Sequence, residues 1–447
     1  MRRTLIGLVL LGFGNLAVVA QDEDFHVYSD SPRLFLTKQR LRLLQRERER
    51  MSPRWEILDG FVTGGAPLPE PGFALALYYR IAADASAGRK AVEWALNRPA
   101  QAAGDLRQLA LVFDWCGPVM TPAQSDRLGS KIERAIAAAD HDIPGQSARA
   151  LAAIAIADRL KDHGDSILRP LVETWWRAGL ARQIESGQAV LPRDRLYQFF
   201  EMLHALRDNV TVDLRESAPA YFLQLPLDHL AAHYPAPYPG PENDFLVPAY
   251  LRDGAPDLNE AALSRAAGLA MVSYDSNALE TQYLQGWLMQ DRYLMRGAFG
   301  IPYEFLWANP YQPGLSYSLL PLVFHNPVNG HVFARTSWDE DATWIGYFEG
   351  HLQRFADGKL QDVRAGSTPL RVGDVALMTA PDPDPANGMQ RFRAASGQTF
   401  LLGLPPRSDY DVEIDDQELA GQQTDAGGTL VISLPPETEA GVRIRKR

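Results

Sequence analysis

The feature that most limits the fold of this chain is a change in hydrophobic periodicity near residue 315. Before that point apolar residues recur at helical spacing, and the stretch 148–160 is apolar on nearly every side. After it apolar and polar residues alternate, as in 410–415 and 430–434, and turn residues separate the runs. Helices first and strands second predict a helical domain followed by an antiparallel β domain.

Two threonines mark where individual helices are expected to begin. Thr37 precedes the charged stretch 38–51, and Thr121 precedes Pro122 at the head of another helical stretch. A threonine side chain accepts a hydrogen bond from a free amide of the first turn, and proline is well tolerated there. Further helices are predicted at 168–180, 193–207 and 261–274.

The amino terminus has the pattern of an export signal. Arg2 and Arg3 precede an apolar stretch up to Ala20, and Val18 and Ala20 are the small residues expected before a cleavage site. We therefore predict a cleavable signal peptide over residues 1–20 and a periplasmic or secreted mature protein. The stretch is too short for a membrane anchor, and none is expected elsewhere. The remaining chain divides into a helical domain, 21–314, and a β domain, 315–447.

Charge and cysteine content narrow the partners and the chemistry. The formal net charge is −11, which argues against nucleic acid as a partner, since phosphate binding needs a dense basic surface. An acidic polysaccharide would have to bind in a locally basic groove. Cys116 is the single cysteine, so no intrachain disulfide forms, and its apolar neighbours predict an inert buried thiol.

Three segments carry a resemblance to a known family. They are the opening SPRLFLT at 31–37, the stretch FARTSWDEDATW at 333–344, and the run GHLQRFAD at 350–357. The chain resembles the heparinase II/III-type, alginate lyase-like superfamily of polysaccharide lyases. This resemblance implies an α+β multidomain fold, in which an incomplete α/α toroid is followed by a small antiparallel β-sandwich domain.

The same resemblance implies a set of catalytic residues. His141, Tyr197 and His351 follow one another in the order and at the approximate separations of the family's catalytic histidine, tyrosine and second histidine. Two positions depart from the family pattern. Asp140 stands where the family has an asparagine that neutralises the substrate carboxylate. A further histidine, which the family has shortly after the position of His351, is absent. Neither a metal ion nor a cofactor is expected.

The helix around Tyr197 also has a polar stripe. Tyr197, Glu201, His204 and Asp208 recur at helical spacing, opposite apolar residues. We predict that Glu201 and His204 contact substrate, although a solvated helix face is the plainer alternative. Two other residues are predicted to bind substrate: Arg149, as a carboxylate clamp or a structural ion pair, and Trp307, as a stacking platform or part of a packed strap between the domains.

The leading hypothesis is a lyase that cleaves uronic-acid-containing glycans by β-elimination. That reaction needs a base, a group that neutralises the uronate and an acid for the leaving oxygen, and tyrosine and histidine suit the proton transfers. A non-catalytic glycan-binding relative is the second hypothesis. The third is an inverting glycoside hydrolase, which needs two carboxylates about 6.5–9.5 Å apart; Glu173 and Glu201 are available. Zinc-protease, phosphate-loop and nucleophile-elbow motifs are absent from the sequence.

Overall fold

The structure is a computed structural model of the chain. It describes residues 23–188, 190–238, 246–251, 253–289, 294–363, 369–380 and 388–447. The predicted signal peptide, residues 1–20, lies outside the described residues.

Helices fill the described chain as far as Trp307, and strands follow from Val323, so the predicted order of helices and strands is confirmed. The helices are α1 (Lys38–Glu49), α2 (Pro53–Thr63), α3 (Pro71–Ala82), α4 (Ala85–Asn97), α5 (Ala103–Trp115), α6 (Pro122–Ala138), α7 (Ile143–Ala155), α8 (Asp165–Pro170), a π-helix (Leu171–Leu180), α9 (Ala181–Glu185), α10 (Leu196–Val210), α11 (Pro219–Ala231), α12 (Leu258–Tyr274), α13 (Leu279–Leu288) and α14 (Ile301–Trp307).

Both predicted helix starts are confirmed. The Thr37 side chain accepts a hydrogen bond from the Arg40 amide (3.3 Å) at the start of α1. At the start of α6, Thr121 and Gln124 form a capping box, in which each side chain bonds the other residue's backbone amide (3.3 and 2.9 Å). These caps satisfy amides that have no partner within the helix, so the two boundaries are local properties of the sequence.

Six helices contact one another in cyclic order. Helix α3 packs on α5, α5 on α7, α7 on α10, α10 on α12, α12 on α14, and α14 returns to α3. Helices α2, α4, α6, α11 and α13 each contact one or more of these six. The incomplete α/α toroid stays a prediction, but the cyclic contacts place side chains of α3, α5, α10 and α14 around one centre.

Helix α14 is short, contains several aromatic residues and is the last α-helix before the strands. Pro302 occupies the first turn, where a missing amide hydrogen costs nothing, and every residue of the helix is buried. Trp307 is 2% exposed at its end. Trp307 is therefore packed, as the strap alternative expected, but inside the ring of helices and not between the domains.

The β domain consists of two sheets. The first has β1 (Val323–His325), β2 (Val332–Arg335), β3 (Trp344–Phe348), β4 (His351–Ala356) and β5 (Lys359–Val363) in sequence order, all antiparallel. The second has the order β10-β9-β11-β8-β7-β6 and comprises β6 (Leu370–Val372), β7 (Val375–Thr379), β8 (Met389–Leu402), β9 (Asp409–Ile414), β10 (Gln417–Gln423) and β11 (Leu430–Lys446). Strands β7 and β8 are parallel, in contrast to the wholly antiparallel prediction.

The two sheets pack against each other and also against the helical domain. Ile345 of the first sheet and Leu377 of the second belong to one apolar core. Toward the helices, the Trp344 indole donates to the Ala231 carbonyl (2.9 Å), and His331 Nδ1 lies 3.1 Å from the carboxylate of Asp228 in α11. The predicted packing of the β domain on the helical domain is thus present.

Two further sequence predictions concern the described chain. Cys116 is fully buried, as expected, and burial raises the pKa of its thiol to about 12. No helix within the described ranges is both long and apolar enough to cross a bilayer.

Candidate functional site

A buried network of polar side chains occupies the centre of the helical ring. Tyr197 and Glu201 are one turn apart on α10, and the tyrosine hydroxyl donates to the Glu201 carboxylate (2.5 Å). Arg107 of α5 donates to both oxygens of that carboxylate (2.7 Å each). Glu201 is fully buried, so the guanidinium supplies the charge that such a carboxylate needs.

The network continues into α3 and α14. The Trp307 indole donates to the Tyr197 hydroxyl (3.0 Å), and Arg107 reaches Glu70 at the start of α3 (3.3 Å). The Tyr303 hydroxyl donates to the same Glu70 carboxylate. Four ring helices therefore meet in one connected set of hydrogen bonds.

Burial sets the protonation of this network. It raises the pKa of Tyr197 well above its usual range, so the phenol remains protonated and is a weaker acid than a free tyrosine. Burial also raises the pKa of Glu201, while Arg107 acts in the opposite direction. Because Tyr197 is 1% exposed and its hydroxyl is already bonded on both sides, substrate reaches it only if neighbouring side chains move.

The polar stripe on α10 is therefore an inward-facing surface, and the solvated-face alternative is wrong for its central residues. His204 is 1% exposed, its Nε2 lies 3.0 Å from the Ala270 carbonyl, and its ring packs on Trp307. Burial lowers the pKa of His204 well below its usual range, which keeps the imidazole neutral. The structure thus brings Tyr197, Glu201, His204 and Trp307 together in the interior of the ring.

The other three predicted residues lie elsewhere. His141 is exposed before α7, with Nδ1 3.1 Å from the Gln146 amide nitrogen. Arg149 is half-buried on α7, and its Nε has no hydrogen-bond partner among the described residues. His351 is exposed at the first position of β4. None of the described hydrogen bonds or ring contacts joins these residues to Tyr197, so their shared site stays a prediction.

A pocket of about 220 Å³ lies where the β domain meets the amino-terminal ends of α10 and α12. In the helical domain, the turn before α10 and the first turns of α12 line the pocket. In the β domain, the β3–β4 turn that precedes His351 lines it. It is lined by Pro192, Arg193, Asp194, Pro248, Ala249, Tyr250, Leu251, Glu260, Ser264, Phe348 and Glu349.

Arg193 is the residue that gives this pocket a chemical preference. Its guanidinium lies over the rings of Phe348 and Phe333, 4.5 and 5.5 Å from their centres, and Nη1 donates to the Ala249 carbonyl (3.1 Å). Nη2 is buried and has no hydrogen-bond partner among the described residues. Burial lowers the pKa of Arg193, as expected where no carboxylate is bonded to the guanidinium.

The carboxylates around the pocket leave Arg193 without a hydrogen-bonded counter-ion. Asp194 pairs with Arg195 (3.3 Å), and Glu349 is exposed on the turn between β3 and β4. The pocket is therefore lined by an arginine that has one unbonded donor, beside several acceptor groups. Such a mixture suits a ligand that has both an anionic group and hydroxyl groups.

Sequence reasoning missed Arg193 and selected Arg149 for the role of carboxylate clamp. One signal was available, since Arg193 is four residues before Tyr197 at the head of a predicted helix. Its burial depends on Phe333 and Phe348, however, which come from the β domain about 140 and 155 residues later in the chain. No local pattern reports a contact of that range.

Two arrangements of acidic or metal-binding side chains are not found among the described residues. Within the described ranges, no set of three or more His, Cys, Asp or Glu side chains is placed to hold a metal ion. Glu173, which the sequence offers beside Glu201 for a hydrolase, is exposed on the π-helix and pairs with Arg169 (3.4 Å), whereas Glu201 is inside the ring. Nothing in the described chain pairs these two carboxylates across a groove.

Comparisons with known proteins found a distant structural likeness and no sequence relative. No family model matches the chain, and no curated protein matches it. Among solved structures, it is similar to a chain described as a glycoside hydrolase, with 8% identity and a TM-score of 0.33, over 94% of this chain and 76% of that one. A likeness at this TM-score carries no argument, so the function is inferred from the residues themselves.

Proposed function

We propose that this chain is an exported carbohydrate-active protein that binds a uronic-acid-containing glycan at the pocket between its two domains. The observation that carries the proposal is Arg193, which lines that pocket and whose buried Nη2 has no hydrogen-bond partner in the described chain. An unbonded buried donor is costly, and a carboxylate forms the strongest hydrogen bonds with a guanidinium.

The remaining lining residues favour a sugar acid over a simple anion. Asp194, Glu260 and Glu349 repel a bare anion, but their carboxylates accept hydrogen bonds from sugar hydroxyls. Tyr250 adds an aromatic ring at the same wall. The volume of about 220 Å³ is below the roughly 300–1,000 Å³ of pockets for drug-sized ligands, which suits one sugar residue of a chain.

Replacing Arg193 with glutamine tests this proposal. We expect uronate oligosaccharides to bind about 10–100-fold more weakly, because a charge-assisted hydrogen bond is worth roughly 1.5–3 kcal/mol. Isothermal titration calorimetry measures the change, and Arg195→Gln is the matched control, two residues away and exposed. Equal affinities for the two variants, with folding retained, would remove Arg193 from the site.

A lyase acting by β-elimination is the finer form of the proposal. Arg193 would take the neutralising role predicted for Arg149, and it precedes Tyr197 by four residues in a turn that runs directly into α10. The phenol is protonated, as the acid that serves the leaving oxygen must be, although its raised pKa makes it a weak acid. His351, two residues after Glu349 of the pocket wall, and His141 are proposed as partners of Tyr197. The second candidate is the non-catalytic glycan-binding relative, which is favoured by the burial of the Tyr197 hydroxyl.

Export of the protein gives a direct prediction. The mature form is expected to begin at or near Gln21 and to be found outside the cytoplasm, because the apolar stretch before it ends in small residues. Mass spectrometry of the fractionated host measures this. An intact amino terminus recovered with the cytoplasm would contradict the prediction.

A further inference from the structure

A second cavity lies at the other end of the ring helices, next to α1. Its volume is about 890 Å³, and residues from the carboxyl-terminal ends of α10, α12 and α14 line it. The pocket of Arg193 is at the amino-terminal ends of α10 and α12. Since the 15 residues of α10 span roughly 22 Å, the two cavities are separate sites.

Basic side chains dominate this second cavity, which we name the basic groove. Its lining includes Lys38, Arg40, Arg42, Arg46 and Arg207. Asp208 also lines it, but this carboxylate is paired with Arg207 (2.8 Å). In a chain with a formal charge of −11, such a concentration of positive charge is a local feature and not a consequence of composition.

The placement of these charges on α1 is unfavourable in the absence of an anion. Lys38 and Arg40 are in the first turn of the helix, where the backbone dipole is positive, and no acidic residue is there to balance it. Arg42 and Arg46 are exposed and have no ion pair among the described residues. A bound anion would offset both the side-chain charges and the helix dipole.

The inner wall of the basic groove holds further donors. Arg40 lies 4.4 Å from the centre of the Trp307 ring and donates to the Leu306 carbonyl (3.0 Å), with no carboxylate bonded to it. The Gln312 side-chain nitrogen is buried and has no hydrogen-bond partner within the described chain. Tyr311, at the same wall, is 45% exposed and offers an aromatic face.

From this geometry we infer that the basic groove is a second binding site, for a chain of carboxylated or sulfated sugars. The naming of the ligand as a sugar chain rests on the proposed function, whereas the preference for anions rests on the basic groove alone. Its size suits several sugar residues, and an aromatic face beside guanidinium groups suits an anionic sugar ring. A nucleic acid is disfavoured because it needs a dense basic surface over a long stretch, and the remainder of the chain is acidic.

Charge reversal at two exposed positions tests this inference. The variants are made in an Arg193→Gln background, so that the pocket between the domains does not mask the result. In Arg42→Glu/Arg46→Glu we expect affinity for a uronic acid hexasaccharide and for a heparin-type sulfated hexasaccharide to fall about 10-fold or more, and wild-type affinity to weaken with added salt. The control is Arg134→Glu/Arg182→Glu, which makes the same charge change at exposed positions of α6 and α9. Isothermal titration calorimetry measures the affinity of the wild type and both variants for the two anionic probes and for a neutral hexasaccharide.

Each outcome has a defined meaning. Weaker binding of both anionic probes in the groove variant but not in the control supports the site. If only one probe binds more weakly, that probe carries the anion that the site prefers. Equal binding in both variants, equal binding of the neutral hexasaccharide, or no binding by the wild type overturns the inference. Tighter binding of a single-stranded oligonucleotide would replace the proposed sugar ligand. Arg193→Gln separates the two proposals, because its effect at the other end of α10 is expected whether or not the basic groove binds.

Discussion

Replacing Glu201 with alanine is expected to lower the free energy of unfolding by about 3–5 kcal/mol, the range seen when one partner of a buried ion pair is removed. Glu201 is fully buried and accepts from both Arg107 and Tyr197. Without it, Arg107 keeps only two longer hydrogen bonds, to Glu70 (3.3 Å) and to the Tyr197 hydroxyl (3.4 Å), and that hydroxyl loses its acceptor. Urea denaturation of the whole protein, monitored by the circular dichroism signal of its helices, measures this loss of unfolding free energy.

Two further variants test whether Glu201→Ala loses stability because Arg107 is left without its counter-ion. Glu173→Ala removes an exposed helical glutamate that pairs with Arg169, and it is expected to cost less than about 1 kcal/mol. The double variant Arg107→Leu/Glu201→Leu removes both charges and is expected to recover much of the stability lost in Glu201→Ala. A loss in Glu201→Ala no larger than in Glu173→Ala would contradict this account of the ring centre.

Much of the fold was predictable because it is encoded locally. The caps at Thr37 and Thr121 depend on residues within one helical turn, and the change of period near residue 315 depends on neighbours in the chain. Helix α14 was not predicted, because a short helix with proline and several aromatic residues resembles an irregular segment. Its stability comes from packing inside the ring, which sequence periodicity does not report.

The candidate site was predictable only in part, for a related reason. Helical spacing placed Tyr197, Glu201 and His204 on one face of α10, and they do share a face. Spacing does not tell whether that face points to water or to the centre of a ring of helices. The decisive partner, Arg107, is about 90 residues earlier in the chain, and the charge of Glu201 gave no sign that it is buried.

Tyr197→Phe is expected to lower the rate of β-elimination by about 10²–10⁴-fold, because under the lyase proposal its hydroxyl carries the proton that the leaving oxygen needs. Elimination creates a double bond conjugated with the uronate carboxylate, so the product absorbs in the near ultraviolet, whereas hydrolysis produces reducing ends without that absorbance. The purified mature protein is incubated with alginate, heparan-type and glucuronan substrates, and both signals are recorded.

Tyr303→Phe is the matched control for this experiment. Tyr303 is also buried in the ring, its centroid is 4.9 Å from that of Tyr197, and its hydroxyl likewise donates to a glutamate. Both substitutions remove one buried hydroxyl, so they should cost similar stability, of the order of 1 kcal/mol. Because only Tyr197 is proposed to carry the proton, only its substitution should slow elimination. Equal rates in the two variants would assign the Tyr197 hydroxyl to the stability of the ring. If the protein binds a substrate and forms neither product, the non-catalytic glycan-binding hypothesis is supported.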